Sequence, residues 1–327
     1  MIYLETGSTD PYFNLAFEEY AFERMDPTRS YFILWQNENT IVVGKHQNTY
    51  EEINQRYVEE HGIRVVRRLS GGGAVYHDSG NLNYTFIVDK DAAPDFNFAV
   101  FTLPVIRTLE RLGVKAEFTG RNDLTIDGRK FCGTAQYMKR GRIMHHGCIM
   151  LDSNLEVVSN ALKVREAKFQ SKGVKSVRSR VTTINAHAPR PISMEEFKGL
   201  LKGYILEAEG LEPMALTPEQ LAEVRRLRDE KYATWEWNYG ASPAYDVRAE
   251  QRFDFGTVTV YLQADGGRIR AVRIHGDFFG HGELSELEAA LAGLPLDENL
   301  AAALEPLDVG RYIQGMTARD LATLLMG

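Results

Sequence analysis

Residues 67–78, Arg-Arg-Leu-Ser-Gly-Gly-Gly-Ala-Val-Tyr-His-Asp, combine residue types that suit an anionic ligand. A β-branched run, Ile63-Arg64-Val65-Val66, leads into Arg67 and Arg68, and Leu69 and Ser70 precede three glycines. Glycine lacks Cβ, so its main chain can take positive φ and lie against a ligand. Arginine adds a permanently charged fork matched to phosphate or carboxylate. On these residues alone the segment is either a loop that holds an anion against backbone or a plain turn. Two phosphate signatures are excluded. There is no G-x-x-x-x-G-K-[ST], and the loop runs into another strand-like segment instead of opening a helix.

Lys130 stands in Gly128-Arg129-Lys130-Phe131-Cys132-Gly133-Thr134-Ala135, where a strand returns from an Asp127-Gly128 turn. The small residues after it leave room for a ligand to reach the ammonium, which suits phosphate or carboxylate as a point charge. An ordinary exposed lysine is the plain alternative. Asp123, in Gly120-Arg121-Asn122-Asp123, is the sort of single carboxylate that Mg²⁺ takes alongside substrate phosphates, or else an Asx-turn residue. His77 and His146 are candidates to line a pocket or simply to be buried. His145 and His146 are adjacent, which is not a zinc-ligand spacing. Between residues 163 and 180, seven cations (Lys163, Arg165, Lys168, Lys172, Lys175, Arg178 and Arg180) stand against Glu166 alone. Gly173, Ser176 and Ser179 interrupt the run and predict a mobile loop. It would fold over a polyanion, steer an acidic partner or form a solvated face. No aromatic residue lies between Lys172 and Arg180 to stack on bases.

The elements that must position these residues are legible in part. Asp10 as N-cap, Pro11 at the first helical position and Phe13, Phe17 and Tyr20 on one face predict a first helix. Strands are predicted at 31–35, 40–43, 63–66, 74–77 and 82–88, with a turn at Asn37-Glu38-Asn39, and a helix over 98–112. Hairpins turn at Asp127-Gly128 and Arg140-Gly141. Short connections and meander-like strands predict an α+β fold with a mostly antiparallel sheet. Asn238-Tyr239-Gly240-Ala241-Ser242-Pro243 reads as a domain joint. Beyond it come strands at 252–255, 258–262 and 269–275 and helices at 283–291 and 318–325, a small α+β domain. The expected division is 1–243 and 244–327.

The chain has 327 residues, of which 44 % are hydrophobic, and a mean hydropathy of −0.31, in keeping with a core-forming chain of two domains. No apolar run approaches the ~20 residues of a membrane span, and the first residues lack a signal-peptide pattern. Cys132 and Cys148 are the only cysteines, which predicts no disulfide framework and a cytoplasmic home. A net charge of −7 argues against general nucleic-acid binding.

In order and spacing, the chain resembles lipoate–protein ligases. The resemblance rests on residues 67–78, Gly80-Asn81-Leu82-Asn83-Tyr84-Thr85-Phe86, 120–123, Gly128-Arg129-Lys130, His145-His146-Gly147, 175–181 and Trp235-x-Trp237-Asn238-Tyr239-Gly240. It implies a catalytic domain similar to biotin ligases and class II aminoacyl-tRNA synthetases, followed by a small C-terminal domain. It implies activation of lipoate by ATP to lipoyl-AMP, then transfer to a lysine of lipoyl domains in 2-oxoacid dehydrogenase E2 subunits or glycine cleavage H protein. Arg68, Gly73, Ala74, Val75, Tyr76, Val177 and Arg178 would hold the nucleotide, with Asp123 at a Mg²⁺ contact. Ser70, Gly71, Gly72, His77 and His146 would line the lipoate site. Lys130 would touch both the acyl end and the α-phosphate, as an electrostatic clamp and not a nucleophile. A monomer is expected. The alternative is an ATP-independent octanoyl or lipoyl transferase with Cys132 or Cys148 as nucleophile.

Overall fold

The computed structural model describes residues 1–92, 97–120, 122–163, 180–240, 247–265 and 267–326. They fall into two compact units. The first comprises Met1–Val43, Glu52–Arg68 and Ala74–Asn238, and the second Gly44–Glu51, Leu69–Gly73 and Tyr239–Gly327. Where the sequence suggests a single cut after residue 243, the second unit also takes in two short upstream segments, one holding all three glycines of the arginine-flanked loop.

The first unit is built on an eight-stranded sheet. In chain order its strands are β1 (Ile2–Glu5), β2 (Tyr31–Trp35), β6 (Asn81–Asp89), β7 (Glu117–Thr119), β8 (Asp123–Ile126), β9 (Arg129–Lys139), β10 (Arg142–Met150) and β11 (Glu212–Pro213). They lie in the order β11-β1-β2-β6-β10-β9-β8-β7. Only β1 pairs in parallel, with β2 and β11. A smaller sheet, order β4-β3-β5, holds β3 (Thr40–Val43), β4 (Arg64–Arg67) and β5 (Val75–His77). The hairpin turns form at the predicted dipeptides. Asp127 and Gly128, and Arg140 and Gly141, all have positive φ, the geometry whose twist matches antiparallel strands.

β6 shows why the main sheet is sandwiched. Leu82, Tyr84, Phe86 and Val88 face a core shared with Phe101, Val105 and Leu109 of the helix Ala99–Arg111 and Phe197, Leu201 and Ile205 of the helix Met194–Glu209. The alternate residues Asn81, Asn83 and Thr85 are equally buried but polar. Thr85 faces the helix Pro11–Glu23, whose Glu18 accepts a hydrogen bond from the Thr85 hydroxyl at 2.6 Å. That helix begins as expected, with the Asp10 side chain accepting from Tyr12 N. One face of the sheet is thus an apolar core, whereas the other carries buried polar side chains at Asn81, Asn83 and Thr85 beside the buried apolar Ile33, Ile87 and Met144.

The second unit carries an antiparallel sheet of β12 (Val247–Phe253), β13 (Gly256–Asp265) and β14 (Arg268–Gly276), packed against the helices Leu284–Leu291 and Ala318–Met326. Segment 44–51 joins it through Gly276 N to His46 O (2.8 Å), and segment 69–73 through Lys45 N to Ser70 O (2.8 Å). Among the described residues no helix is long and apolar enough to cross a membrane.

Candidate active site

A transverse row of paired residues crosses the polar face of the main sheet. Trp35 of β2 pairs with Asn83 of β6, Asn83 with Cys148 of β10, Cys148 with Gly133 of β9, and Gly133 with Asp123 of β8. Partners directly opposite share a face of the pleat. Lys130 reaches this row through an irregularity in β9. Thr125 pairs with Lys130 but Leu124 with Cys132, so Phe131 is an extra residue on β9. Phe131 and Cys132 both enter the apolar core, which is how a bulge places two successive side chains on one side. Lys130 and Gly133 are left on the opposite side, and Lys130 Nζ comes to 2.7 Å from Asp123 Oδ1.

Burial works against the charge of Lys130, but Asp123, through its charge and its hydrogen bond, prevails and holds the amine above the ordinary lysine pKa. The side chain keeps 32 % of its surface exposed. It is thus a cation at neutral pH, available at the surface of the row and too basic to serve as an amine nucleophile or proton acceptor. Its backbone is held as well. Lys130 N donates to Arg180 O and Lys130 O accepts from Thr182 N, each at 2.8 Å, so the chain leaving 164–179 docks on the lysine itself.

Beside the row lies a second group. His146 Nδ1 is 2.9 Å from Glu18 Oε1, and Glu18 also accepts from Thr85, whose oxygen accepts in turn from Trp35 Nε1 at 3.0 Å. The amide nitrogens of Asn37 (3.2 Å) and Asn83 (3.4 Å) face His77 Nδ1, which places the ring proton on Nε2. That Nε2 is buried with no hydrogen-bond partner among the described residues. Burial, then Arg68 and His146, push the His77 pKa down to about 3, so the ring is a neutral donor. Arg68 is 6 % exposed, and burial lowers it to about 10, still charged at neutral pH.

The other expected site residues divide as follows. Ala74, Val75 and Tyr76 lie in or next to β5, an edge strand that pairs on one side with β3 and on its other edge with no strand among the described residues. Ser70, Gly71, Gly72 and Gly73 belong to the second unit. Gly72 has φ +92, a conformation for which glycine is suited. Among the described residues a Cβ on Gly73 would meet nothing within 4 Å, whereas one on Gly71 would lie 2.2 Å from the Phe278 carbonyl oxygen. Packing within the unit therefore accounts for Gly71. Val177 and Arg178 lie outside the described residues, as do Arg121 and most of the basic run. Arg67, paired with Arg68 in sequence, has a structural task. Its Nε and Nη2 donate to the carbonyls of Trp237 and Asn238, and its N donates to Asn238 Oδ1. Asp78 likewise holds backbone, accepting from Gly80 N two residues on and from the distant Asn154 N.

Neither cysteine is poised for attack. Burial drives the Cys132 thiol well above its usual pKa and moves Cys148 up to about 12, so neither is a thiolate at neutral pH. Sequence reasoning missed Glu18, Trp35, Asn37, Asn83 and Gly133. The alternation Asn81-Leu82-Asn83-Tyr84-Thr85-Phe86 was a signal, but alternation alone does not separate a buried polar face from one in water.

Residues 10–205 match the lipoyl protein ligase A/B catalytic domain, and 242–325 the bacterial lipoate protein ligase C-terminus. Lipoate-protein ligase LplJ of Bacillus subtilis is 42 % identical over 330 residues, covering 99 % of this chain and all of that protein. The crystal structure of P. falciparum LipL1 in complex with lipoate superposes with a TM-score of 0.76 at 20 % identity, over 99 % of this chain and 98 % of that one. Lipoate-protein ligase A bound with ATP gives 0.61 at 25 % identity, over 73 % and 97 %. With both domain models matched and a relative alike from end to end, the chain belongs to the lipoate–protein ligase family.

Proposed function

We propose that this enzyme activates lipoate with ATP, releasing pyrophosphate, and passes the lipoyl group from lipoyl-AMP to a lysine of a lipoyl domain. The observation that carries this reading is the Lys130 ammonium, kept charged by Asp123 on the polar face of a lipoate-ligase catalytic domain. A lipoate carboxylate approaching the α-phosphorus meets like charge, and negative charge grows on the bridging oxygen as pyrophosphate leaves. A fixed cation offsets both, in a site whose catalysis is positioning and preorganised charge. In the second step the acceptor amine attacks the acyl carbonyl and AMP departs with the bonding pair. Lys130 then polarises the carbonyl and steadies the leaving phosphate.

Within this reading Arg68, Gly73, Ala74, Val75, Tyr76, Val177 and Arg178 hold the nucleotide, the outer edge of β5 supplying main-chain groups. Ser70, Gly71, Gly72, His77 and His146 hold the lipoyl part, and His77 Nε2 is a buried donor with no acceptor among the described residues. Asp123 is the position for Mg²⁺. Among the described residues no cluster of three or more His, Cys, Asp or Glu could hold a metal by itself, so the donor set fits an ion carried chiefly by nucleotide phosphates. Such an ion would neutralise phosphate charge. Acceptors are the lipoyl domains of 2-oxoacid dehydrogenase E2 subunits or glycine cleavage H protein, met by a monomer in the cytoplasm. The protonated thiols speak against transfer without ATP through a cysteine. Incubation of the enzyme with lipoate, ATP and a purified lipoyl domain should add one lipoyl mass to the domain. Modification that needs no ATP would overturn the reading.

A further inference from the structure

Gly133 sits in the middle of the eight-stranded sheet, paired with Asp123 on one side and Cys148 on the other. A strand centre is a poor place for glycine, which gives up the most backbone freedom there and offers no side chain to pack. Its backbone does not call for glycine, since Gly133 is absent from the chain's positive-φ positions. Neighbouring main chain does not call for it either. A Cβ at Gly133 would meet the tip of Lys130, Nζ at 2.6 Å and Cε at 2.8 Å, with Asp123 Oδ1 next at 4.0 Å. What the missing side chain provides is the volume in which the Lys130 ammonium rests.

We propose that Gly133 is a positioning residue for Lys130. The bulge at Phe131 brings the lysine to the polar face, and the bare Cα of Gly133 lets its last two atoms lie flat over β9 beside Asp123. The inference rests on the reading of Lys130 as the cation that handles acyl and phosphate charge. A methyl group at this position fits the backbone and touches nothing rigid. The lysine tip must swing away from it, and a displacement on the order of 1 Å at a reacting centre can cost about 100-fold in rate.

The test uses the full-length enzyme as Gly133→Ala, Lys130→Ala and the double variant. Three quantities are read: the thermal midpoint, the lipoate-dependent ATP–pyrophosphate exchange rate, and the amount of lipoyl-AMP retained per molecule. For Gly133→Ala the midpoint should be no lower than that of the parent and adenylate should still be retained one to one. Its kcat should fall by about tenfold or more, with little change in the KM for ATP. In the Lys130→Ala background the same glycine change should cost nothing further, since its target is gone. A parental rate for Gly133→Ala beside an impaired Lys130→Ala overturns this inference and spares the role of Lys130. A parental rate for Lys130→Ala overturns that role. A lowered midpoint, or a glycine effect that persists without the lysine, would make Gly133 a structural requirement and sink the proposal.

Discussion

Gly71 and Gly133 occupy different units and look alike in sequence, each followed by small residues. Both owe their identity to an occupied Cβ volume, yet the occupants differ. At Gly71 it is the Phe278 carbonyl oxygen, 2.2 Å from where Cβ would be; at Gly133 it is the end of a lysine. Backbone in a packed domain cannot yield, and a side-chain tip can. The first glycine is thus a condition of folding for its unit, the second a condition of charge placement. A functional glycine is recognised by what fills its space, not by how many glycines surround it.

That contrast fixes the order of expected effects. Gly71→Ala should be the most costly to stability, by about 3 kcal/mol as overpacking against fixed atoms. It would be read as a lowered thermal midpoint, and a parental midpoint would erase the distinction drawn between the two glycines. Next comes the buried His77. Its folded pKa, about 3, lies below the ordinary value of 6.5, so the unfolded chain takes up the proton first. Stability from this group is whole above pH 6.5 and is lost as pH falls toward 3, amounting to about 2 kcal/mol by pH 5. Denaturant unfolding of His77→Gln at pH 7.5 and pH 5 should show that much less acid loss than the parent. Asp123→Asn removes what holds Lys130 above the ordinary lysine pKa, so the alkaline limb of adenylation should move to lower pH. An unmoved limb would detach Asp123 from the lysine. Smallest of all, Cys132→Ser with Cys148→Ser should leave ATP-dependent lipoylation within about twofold, because neither thiol is ionised.

Much of the scaffold was legible. The cap at Asp10, the strands 31–35 and 40–43, and both positive-φ hairpin dipeptides stand where local chemistry places them. The helices Met194–Glu209 and Pro218–Leu227 went unread, although Ser193 with Glu196 and Thr217 with Gln220 are capping pairs written in the sequence. The site was legible as residue types around Lys130, Asp123, Arg68, His77 and His146. It was not legible as a row. One extra residue in β9 exchanges the faces of everything beyond it, and no local propensity announces such a bulge. Arg67 and Arg68 show the same limit. Side by side in sequence, Arg67 binds the carbonyls of residues 237 and 238, whereas Arg68 donates to the Val42 carbonyl at 3.3 Å and interacts electrostatically with His77 and Glu18, a division decided by tertiary packing.

The central expectation is that the Lys130 cation makes adenylation possible. Lipoate-dependent exchange of labelled pyrophosphate into ATP, compared between the parent and Lys130→Ala, tests it most directly. The expected result is exchange by the parent and a loss of about 100-fold or more in the variant, still folded by its thermal midpoint. Exchange by the variant at close to the parental rate would contradict it.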